Sequence, residues 1–274
     1  MLREHAADFD RWSADDYLHD YYSRVETEEE HTLEFLVKQC ARIPVDATIL
    51  EFGCGPTLHH VLPFSHRAAE IHLADLLPAN LEAIRRWQSR DPGAHDWREF
   101  TRRVLRFEGL QHPTRHDIQC REEVTRAVIS RRIVADAQQP RRPGALTRRY
   151  DCVVSCYCAD SATADKREWR RFMHNIAGLV SPGGLLLVAA LRRCKYYSVG
   201  NQTFPSAHID EHDLTSVFRD LRLSDVDIDV VDVPDRSNSG FDSILLASAT
   251  MREVSALDRK AFDKAERSEG ILSC

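Results

Sequence analysis

The chain has 274 residues, 43% of them hydrophobic, and a formal net charge of -6 at pH 7 with histidine neutral. This length is enough for one sizeable core, so we expect one domain over residues 1–274, and the acidic balance argues against nucleic acid as the main partner. No apolar run reaches the roughly 20 residues of a membrane span, and the polar start MLREHAADFDRW is unlike a signal peptide, so we expect a cytoplasmic protein with no membrane partner.

Residues 1–44 are predicted to form a helical N-terminal cap. The motif DYLHDYY has a helical pattern, and the stretch EEEHTLEFLVKQCARI that follows places apolar residues at helical spacing. Pro44 ends the pattern. A helical segment is therefore expected before the main fold.

Strands and helices alternate after this cap. The strand ATILEF runs into a glycine loop, and IHLAD is a second strand followed by the helix PANLEAIRRWQ. RRIVADA, YDCVVSCYC and LLLVAAL are further strands, with the helix DKREWRRFMHNIAGLV between the last two. VDIDVVDV and DSILLASAT are predicted to form an antiparallel pair at the sheet edge. Together these stretches predict an α/β fold with a doubly wound, mostly parallel, seven-stranded sheet.

The stretch from residue 91 to residue 149 is rich in arginine and histidine and is interrupted by proline. It is predicted to hold a surface helix, REEVTRAVISRR, between irregular loops. A basic arm that binds RNA is one interpretation, but acidic residues are interspersed and stacking aromatic residues are few. The pattern favours an insertion that shapes or covers a pocket.

Eight cysteines lack the spacing of a disulfide scaffold, so we expect reduced thiols. Cys152, Cys156 and Cys158 form the tightest group, but zinc ligands usually come as C-x2-C with a second pair elsewhere, and the sequence has no second pair. Alternate residues of a strand share one face. These thiols are therefore predicted to pack in or beside a buried strand, and no metal site is predicted.

The stretch ILEFGCGPTLHH, residues 49–60, predicts a ligand loop. After a parallel strand, Gly53 and Gly55 let the backbone turn and approach a ligand at the carboxyl end of the strand. A dinucleotide fingerprint needs a third glycine where Leu58 stands, and no Gly-Lys-Ser/Thr ending marks a P-loop. NAD, FAD and nucleoside triphosphates are therefore disfavoured, and S-adenosylmethionine is the remaining candidate.

Acidic residues in strand order support this cofactor. Glu51 precedes the loop, and Asp75 ends the next strand about 20 residues later, where a carboxylate accepts both hydroxyls of a ribose. Asp136 follows another short strand and is placed to face the adenine amine. Taken singly, Asp75 is also consistent with a helix N-cap and Asp136 with a loop acid. The order of strand, glycine loop, acid and second acid predicts S-adenosylmethionine.

Most of the chain, from Trp12 to Ala249, resembles the nicotinamide, phenylethanolamine, indolethylamine and thioether methyltransferase family. DYLHDYY resembles its N-terminal tyrosine motif, GCGPT its glycine loop and DPGAHDW its Asp-Trp segment. DCVVSCYCAD, SPGGLLLVAAL, KYYSVGNQTF and NSGF follow in the family's order. The resemblance implies a Rossmann-like class I methyltransferase fold, small-molecule acceptors, and S-adenosylhomocysteine as the cofactor product.

The resemblance also implies a cofactor site. Tyr17 and Tyr22 would fold over the methionine end, where their electron-rich faces stabilise the sulfonium, although ordinary helix packing also explains them. Asp75 and Asn80 would hold the ribose. The implied cofactor-binding set is Tyr17, Tyr22, Gly53, Cys54, Gly55, Thr57, His59, Asp75, Leu76, Asn80, Asp136, Ala137, Cys156 and Tyr157. His59 and Cys156 depart from the tyrosine and the threonine that are usual in the family.

The acceptor site is predicted from position along the chain. Asp160, just beyond the strand that carries Cys156, is the candidate base that takes a proton from an amine, and Tyr17 is the second catalytic candidate. The predicted substrate-binding set is Tyr21, Asp160, Arg192, Tyr196, Tyr197, Phe204 and Asn238. Loop packing is an equal explanation for the paired tyrosines, and a solvated charge for the arginine.

The predicted function is methylation of a nitrogen in a small-molecule amine, in specialised metabolism, with S-adenosylmethionine as methyl donor. The position after LLLVA, where some family members carry an acid for the substrate, is Ala190. We therefore expect an acceptor other than nicotinamide or phenylethanolamine. S- or O-methylation of a small molecule and a non-catalytic protein that binds S-adenosylmethionine stay open, and the sequence gives no oligomeric state.

Overall fold

Helices form the N-terminal cap in the computed structural model, which describes residues 9–141, 146–233 and 240–253. Helix α1 is Ala14–Tyr22, helix α2 is Thr27–Gln39, and a short 3-10 turn is Cys40–Arg42. The Ser13 hydroxyl accepts the N–H of Asp16 and starts α1. Glu26 and Glu29 form a reciprocal cap at the start of α2. The described part of residues 1–44 is thus mainly helical.

Nine strands form two sheets within the described ranges. The strands are β1 (Ala47–Phe52), β2 (Ala68–Asp75), β3 (Ile129–Val134), β4 (Tyr150–Cys156), β5 (Val180–Leu191), β6 (Tyr196–Val199), β7 (Gln202–Pro205), β8 (Ser224–Asp232) and β9 (Ser243–Thr250). The main sheet has seven strands in the order β3-β2-β1-β4-β5-β9-β8. The first five are parallel, and β9 is antiparallel to β5 and β8. This confirms the predicted mostly parallel sheet with an antiparallel edge pair.

Further helices cover both faces of this sheet. They are α3 (Pro78–Gln88), α4 (Arg98–Phe107), α5 (Arg115–Val128), α6 (Lys166–Ala177) and α7 (Glu211–Asp220). Ile49 of β1 packs in the core under α2, α3 and α4, whereas its neighbour Leu50 packs under α6 and α7. Cys152 and Cys156 lie in the same core as Ile49, as predicted for thiols on one face of a strand, whereas Cys158 lies beyond β4 and packs against the core that contains Leu50. None of the helices in the described ranges is long and apolar enough to cross a membrane.

The described part of the arginine-rich stretch from 91 to 149 is built into the fold and is not a single surface helix between irregular loops. It supplies α4, α5 and the edge strand β3, and its Trp97 and Phe100 are buried in the core. The predicted surface helix begins earlier, at a Thr114 cap, and ends at Val128. The residues that follow pair with β2 because this strand still has an open edge, which β-branched Ile129 can join.

The hairpin of β6 and β7 carries an aromatic cluster. Ring centroids of Phe9 and Phe204 are 5.6 Å apart, and those of Phe204 and Tyr197 are 5.5 Å apart. Trp12 and Tyr17 are 4.8 Å apart. The aromatic roof is the name used below for Phe9, Trp12, Tyr17, Tyr21, Tyr197 and Phe204, which pack together. It joins the N-terminal cap to the hairpin near the carboxyl end of β5.

Candidate active site

The glycine loop lies at the carboxyl end of β1. Gly53 and Gly55 have φ angles of 75° and 59°, in the left-handed region that glycine tolerates. The N–H groups of Gly53 and Cys54 donate to the Ala74 carbonyl at 2.8 and 3.1 Å, which holds the loop against β2. A Cβ atom added to Gly53 would lie 2.0 Å from the Cys158 sulfur. The loop therefore needs glycine for both its backbone angle and its close packing.

Asp75 occupies the predicted place at the end of β2. Its Oδ2 accepts the N–H of Gly55 at 2.8 Å, and its Oδ1 accepts the N–H of Leu77 at 2.8 Å and the Asn80 amide at 2.9 Å. Burial raises the pKa of Asp75, whereas these three hydrogen bonds act in the opposite direction. Trp12 Nε1 donates to Asn80 Oδ1 at 2.8 Å, so the aromatic roof is tied to the same corner.

Asp136 and Ala137 follow β3 at the neighbouring edge of the sheet. Asp136 Oδ1 accepts the Gln138 N–H at 2.7 Å, which turns the chain away from the strand. The Asn175 amide of α6 donates to the Ala137 carbonyl at 2.8 Å and fixes this turn from the other side. The two strand ends are linked because the N–H of Ala135 donates to the Asp75 carbonyl at 2.9 Å.

A cavity joins these groups to the aromatic roof. Its polar end is formed by Asp75, Leu76, Asp136 and Ala137, and its aromatic end by Tyr17, Tyr21, Tyr22, Tyr157 and Tyr197. Other predicted residues on its wall are Gly53, Cys54, Gly55, Thr57, Asn80 and Cys156. Most of the predicted cofactor residues are thus brought together around one space, as the order of the motifs suggested.

Tyrosine hydroxyls at the aromatic end form hydrogen bonds within the protein. The hydroxyls of Tyr17 and Tyr22 are 3.2 Å apart, Tyr21 donates to the Ser198 carbonyl at 2.8 Å, and Tyr197 donates to the Ser161 carbonyl at 3.1 Å. Burial raises the pKa of Tyr17, of Tyr22 and of Tyr197. These side chains therefore present neutral aromatic faces to the cavity at physiological pH.

Tyr157 is held in a strained backbone conformation at the end of β4. Its φ angle is 52°, which is uncommon for a bulky residue and costs of order 1–3 kcal/mol. Two short contacts hold it: its N–H donates to the Ala189 carbonyl at 2.7 Å, and its hydroxyl lies 2.6 Å from Thr32 Oγ1 of α2. Strain of this kind concentrates at functional sites. The ring is thereby aimed at the cavity.

Glu28 lies on the cavity wall but is not among the site residues predicted from the sequence. It is 7% exposed, lines the cavity and lies one turn before Thr32, whose hydroxyl donates to the Glu28 carbonyl at 3.0 Å. Its charge helps to raise the pKa of Tyr157. The run EEEH predicts an acidic first turn of a helix, but only the packing of α2 shows which of these acidic side chains faces the cavity.

The two adjacent histidines differ from the prediction in which of them reaches the cavity. His59 is fully buried behind the wall, with its ring stacked on Trp97 at 5.2 Å and an interplanar angle of 8°. His60, which had no predicted role, lies on the cavity wall instead. The prediction that His59 reaches the cofactor is therefore wrong, because the 3-10 turn that begins there directs its first side chain toward α4.

Three predicted acceptor residues lie away from the cavity. Arg192 pairs with both carboxylate oxygens of Glu211, at 2.7 and 3.0 Å, and Tyr196 is 48% exposed. Phe204 is buried within the aromatic roof, behind the residues that form the wall. Each prediction assumed that a residue near a strand end faces the site. Asn238 lies outside the described residues.

Asp160 lies directly behind the wall. It is 2% exposed, its Oδ2 accepts the N–H of Leu191 at 2.9 Å, and its carbonyl accepts the N–H of Ala207 at 2.8 Å. Burial raises the pKa of Asp160 to about 6. Leu191 and Ser161, its two neighbours in this arrangement, do line the cavity. The carboxylate thus positions the wall, in place of the predicted direct contact with an acceptor.

Three thiols also line the cavity. Cys54 belongs to the glycine loop, Cys156 ends β4, and Cys158 follows two residues later. Burial is the largest cause that raises the pKa of each thiol, and the charge of Asp75 adds to it for Cys54 and Cys158. All three therefore remain protonated at neutral pH.

Comparison with known proteins agrees with this geometry. The model of the NNMT/PNMT/TEMT family matches residues 2–243. Nicotinamide N-methyltransferase of Homo sapiens is 31% identical over 201 residues, which are 70% of this chain and 74% of that protein. Phenylethanolamine N-methyltransferase of Homo sapiens is 27% identical over 186 residues, or 64% of each chain.

Solved structures give the same architecture. The N-methyltransferase NodS from Bradyrhizobium japonicum, in complex with S-adenosylhomocysteine, has a TM-score of 0.51 and 14% identity over 85% of this chain and 90% of its own. At that identity the likeness shows the fold alone. The family and fold matches confirm the predicted class I fold, the S-adenosylmethionine cofactor and the N-methyltransferase class. The chain belongs to the NNMT/PNMT/TEMT family of S-adenosylmethionine-dependent methyltransferases.

Proposed function

We propose that the protein transfers the methyl group of S-adenosylmethionine to a nitrogen of a small-molecule amine other than nicotinamide or phenylethanolamine. The observation that carries this proposal is the two-ended cavity. Its polar end offers a glycine loop and two carboxylates, and its aromatic end offers tyrosine faces and the buried carboxylate of Glu28. The first set suits a nucleoside and the second a cationic nitrogen with an apolar body.

The residues present fit the cofactor. Asp75 stands at the strand end where a carboxylate accepts ribose hydroxyls, and Asp136 with Ala137 stands where the adenine edge would lie. Gly53 and Gly55 carry no side chains, so the backbone at these two positions can approach the methionine portion. Tyr17 and Tyr22 present aromatic faces suited to a sulfonium. When bound, the cofactor supplies a methyl group on a cationic sulfur that leaves readily.

The protein's own contribution is to position the acceptor and exclude water. Holding two reactants in line can supply about 7–11 kcal/mol of the barrier. The aromatic roof covers the cavity, and the hydrogen bond from Trp12 to Asn80 ties it to the polar end. A roof built from the N-terminal cap can open for entry and close for reaction.

The cavity wall favours an amine with an apolar body. The end of β5 is apolar there, since Leu191 lines the cavity and Ala190 is buried in the core. The acidic group therefore comes from α2, as Glu28, which attracts a protonated nitrogen but gives a neutral thioether or phenol no such advantage. Tyr157 and Tyr197 supply the flanking aromatic faces.

The proposal includes a cytoplasmic location, a role in specialised metabolism and no nucleic-acid partner. The arginine-rich stretch supports the last point, because some of its charges are paired within the protein. Arg121 pairs with Glu108 at 2.6 Å, and Arg126 pairs with Glu122 at 3.3 Å while it covers the Trp87 ring. These guanidinium groups are therefore not free to neutralise phosphates.

A methyl-transfer panel tests the proposal. The purified protein is incubated with S-adenosylmethionine and small amines, guanidines, thioethers and phenols, and products that gain one methyl group are sought by mass spectrometry. A methylated amine is expected. Thioether or phenol products alone, or cofactor binding without any product, would contradict the proposal.

A matched pair of variants tests the cofactor end. Asp75→Asn is expected to weaken S-adenosylhomocysteine binding in calorimetry by about ten- to a hundredfold, since a hydrogen bond to a charged group contributes about 1.5–3 kcal/mol. Asp151→Asn is the control, because that carboxylate likewise accepts backbone and hydroxyl bonds from Thr48, at 2.8 and 2.9 Å, but does so away from the cavity. Equal affinities in the two variants would refute the assignment of Asp75.

A further inference from the structure

His60 is a buried polar side chain on the cavity wall that the roles above leave unused. It is 3% exposed, and its Nδ1 lies 2.7 Å from Oε1 of Glu51. Its Nε2 has no hydrogen-bond partner in the part of the chain that the structure describes. The centroid of its ring is 6.3 Å from that of Tyr157, which places it toward the aromatic end. A buried polar atom without a hydrogen-bond partner needs an explanation, and a polar group of a ligand in the cavity would provide one.

The contact with Glu51 determines which nitrogen of His60 can accept a proton. Glu51 lies on β1, is 1% exposed and has its carboxylate directed at Nδ1. When ionised it accepts the Nδ1 proton, so the lone pair remains on Nε2. The same carboxylate stabilises the imidazolium that forms when Nε2 takes up a proton. Burial raises the pKa of Glu51, and the hydrogen bond and charge of His60 act against that rise.

Four of the neighbouring titratable groups do not compete with this pair for the proton of the substrate. The groups on the wall or in ring contact are Glu28 on α2, Glu51 on β1, His59 on the same turn, Asp75 on β2, and Cys156 and Tyr157 at the end of β4. Burial lowers the pKa of His59 and raises the pKa of Tyr157 and of Cys156, so these three stay neutral at physiological pH. Asp75 accepts hydrogen bonds from Gly55, Leu77 and Asn80 and lies at the end of the cavity assigned to the ribose.

We infer that His60, oriented by Glu51, accepts the proton that an amine substrate must lose before methyl transfer. This inference rests on the proposed function. An N–H bond of the substrate ammonium breaks, and its proton goes to Nε2 of His60. The freed lone pair on nitrogen then bonds the methyl carbon while the carbon–sulfur bond breaks, with its electron pair left on sulfur. The N-methylammonium product leaves, and the imidazolium returns its proton to water. His60 is a catalytic residue in this scheme, and Glu51 positions it.

Three variants test the pair. His60→Gln keeps a polar side chain that cannot take up a proton, and Glu51→Gln keeps a hydrogen-bond acceptor without the charge. His72→Gln is the matched control, because His72 is also buried and also contacts a carboxylate, at 3.0 Å from Glu70, but it lies outside the cavity wall. The variants are compared in turnover of the amine found in the panel and in calorimetric binding of S-adenosylhomocysteine.

A general base contributes about a hundredfold to ten-thousandfold. We expect His60→Gln to lose at least about a hundredfold in kcat at neutral pH and to recover with rising pH, as the free amine becomes more abundant. Glu51→Gln should lose less, and His72→Gln should keep the wild-type pH profile. Affinity for S-adenosylhomocysteine should change less than about twofold in His60→Gln. An unchanged pH profile in His60→Gln would overturn the inference.

Two measurements need no acceptor. Nitrogen-15 NMR of histidine-labelled protein saturated with S-adenosylhomocysteine should show Nε2 of His60 unprotonated and Nδ1 protonated. A protonated Nε2 at pH 7.5, or a tenfold loss of S-adenosylhomocysteine affinity in His60→Gln, would overturn the inference, the second because the nitrogen then binds the cofactor itself. A panel without any methylated amine would instead refute the proposed function, so the two failures are distinguishable.

Discussion

Replacing Gly53 with alanine is the sharpest test of the glycine loop. At a φ of 75°, alanine costs about 1–2 kcal/mol in backbone strain. Its Cβ would also lie 2.0 Å from the sulfur and 2.4 Å from the Cβ of Cys158, and displacing these atoms costs about 1–3 kcal/mol more. Gly53→Ala is therefore expected to lower the free energy of unfolding by about 2–5 kcal/mol.

Two comparisons separate the strain from the overlap. Gly55→Ala carries strain without overlap, since its φ is 59° and its new Cβ would meet only Tyr17 Cε1 at 3.7 Å, so it should cost about 1–2 kcal/mol. Cys158→Gly removes both overlapping atoms and leaves only the Cα at 3.6 Å from the added Cβ. In that background Gly53→Ala should cost no more than Gly55→Ala does. Cys158→Ala leaves the Cβ of residue 158 in place and should therefore relieve little of the steric overlap.

Chemical denaturation followed by fluorescence measures these free energies, and calorimetry with S-adenosylhomocysteine measures the site. Gly53→Ala is expected to lose at least about tenfold in affinity, because a displaced loop also breaks the hydrogen bond from Gly55 to Asp75, a bond to a charged group worth about 1.5–3 kcal/mol. The reasoning is refuted if Gly53→Ala costs no more than Gly55→Ala. It is equally refuted if Gly53→Ala costs the same with glycine at position 158 as with cysteine.

Three further outcomes are expected. Asp160 has a pKa of about 6 in the folded state against an ordinary 3.8, so the folded state binds more protons than the unfolded state between these pH values. The free energy of unfolding should therefore fall by about 3 kcal/mol as pH rises through this window. Denaturation of wild type and Asp160→Asn across the window should show this fall only in wild type. Arg192→Ala and Glu211→Gln should each lower the free energy of unfolding by less than about 1 kcal/mol, because a partly exposed ion pair contributes little. Turnover should be unchanged in Arg192→Ala. A raised KM in this variant would show that Arg192 contacts the acceptor after all. Trp12→Phe removes the bond to Asn80 and should weaken S-adenosylhomocysteine binding about two- to tenfold, and an unchanged dissociation constant would disprove the link between roof and polar end.

The polar end was predictable because its residues are local in sequence. Gly53 and Gly55 follow an apolar strand directly, and Asp75 ends the next one, so parallel pairing alone brings them together. The parallel direction of most strands could also be predicted, since helices between strands impose a parallel sheet. The exception was β3, whose Ile129–Arg132 resemble a helix end until β2 offers them an edge.

The aromatic end was less predictable because long-range packing determines it. Which of His59 and His60 faces the cavity depends on a 3-10 turn and on the Trp97 ring, which is distant in sequence. Glu28 is on the wall because α2 docks there, and nothing in the acidic run distinguishes it from its neighbours. Arg192 was predicted from its place after β5, but Glu211 from the next helix pairs with it first.

The protonation state of the three thiols on the cavity wall determines how readily the methyl donor could methylate the enzyme itself. A sulfonium methyl donor alkylates soft nucleophiles, and a thiolate is a far better nucleophile than a thiol. Burial keeps Cys54, Cys156 and Cys158 in the thiol form beside the place proposed for the methyl group. The protein can therefore pack sulfur closely against its glycine loop without competing with the acceptor or inactivating itself by self-methylation.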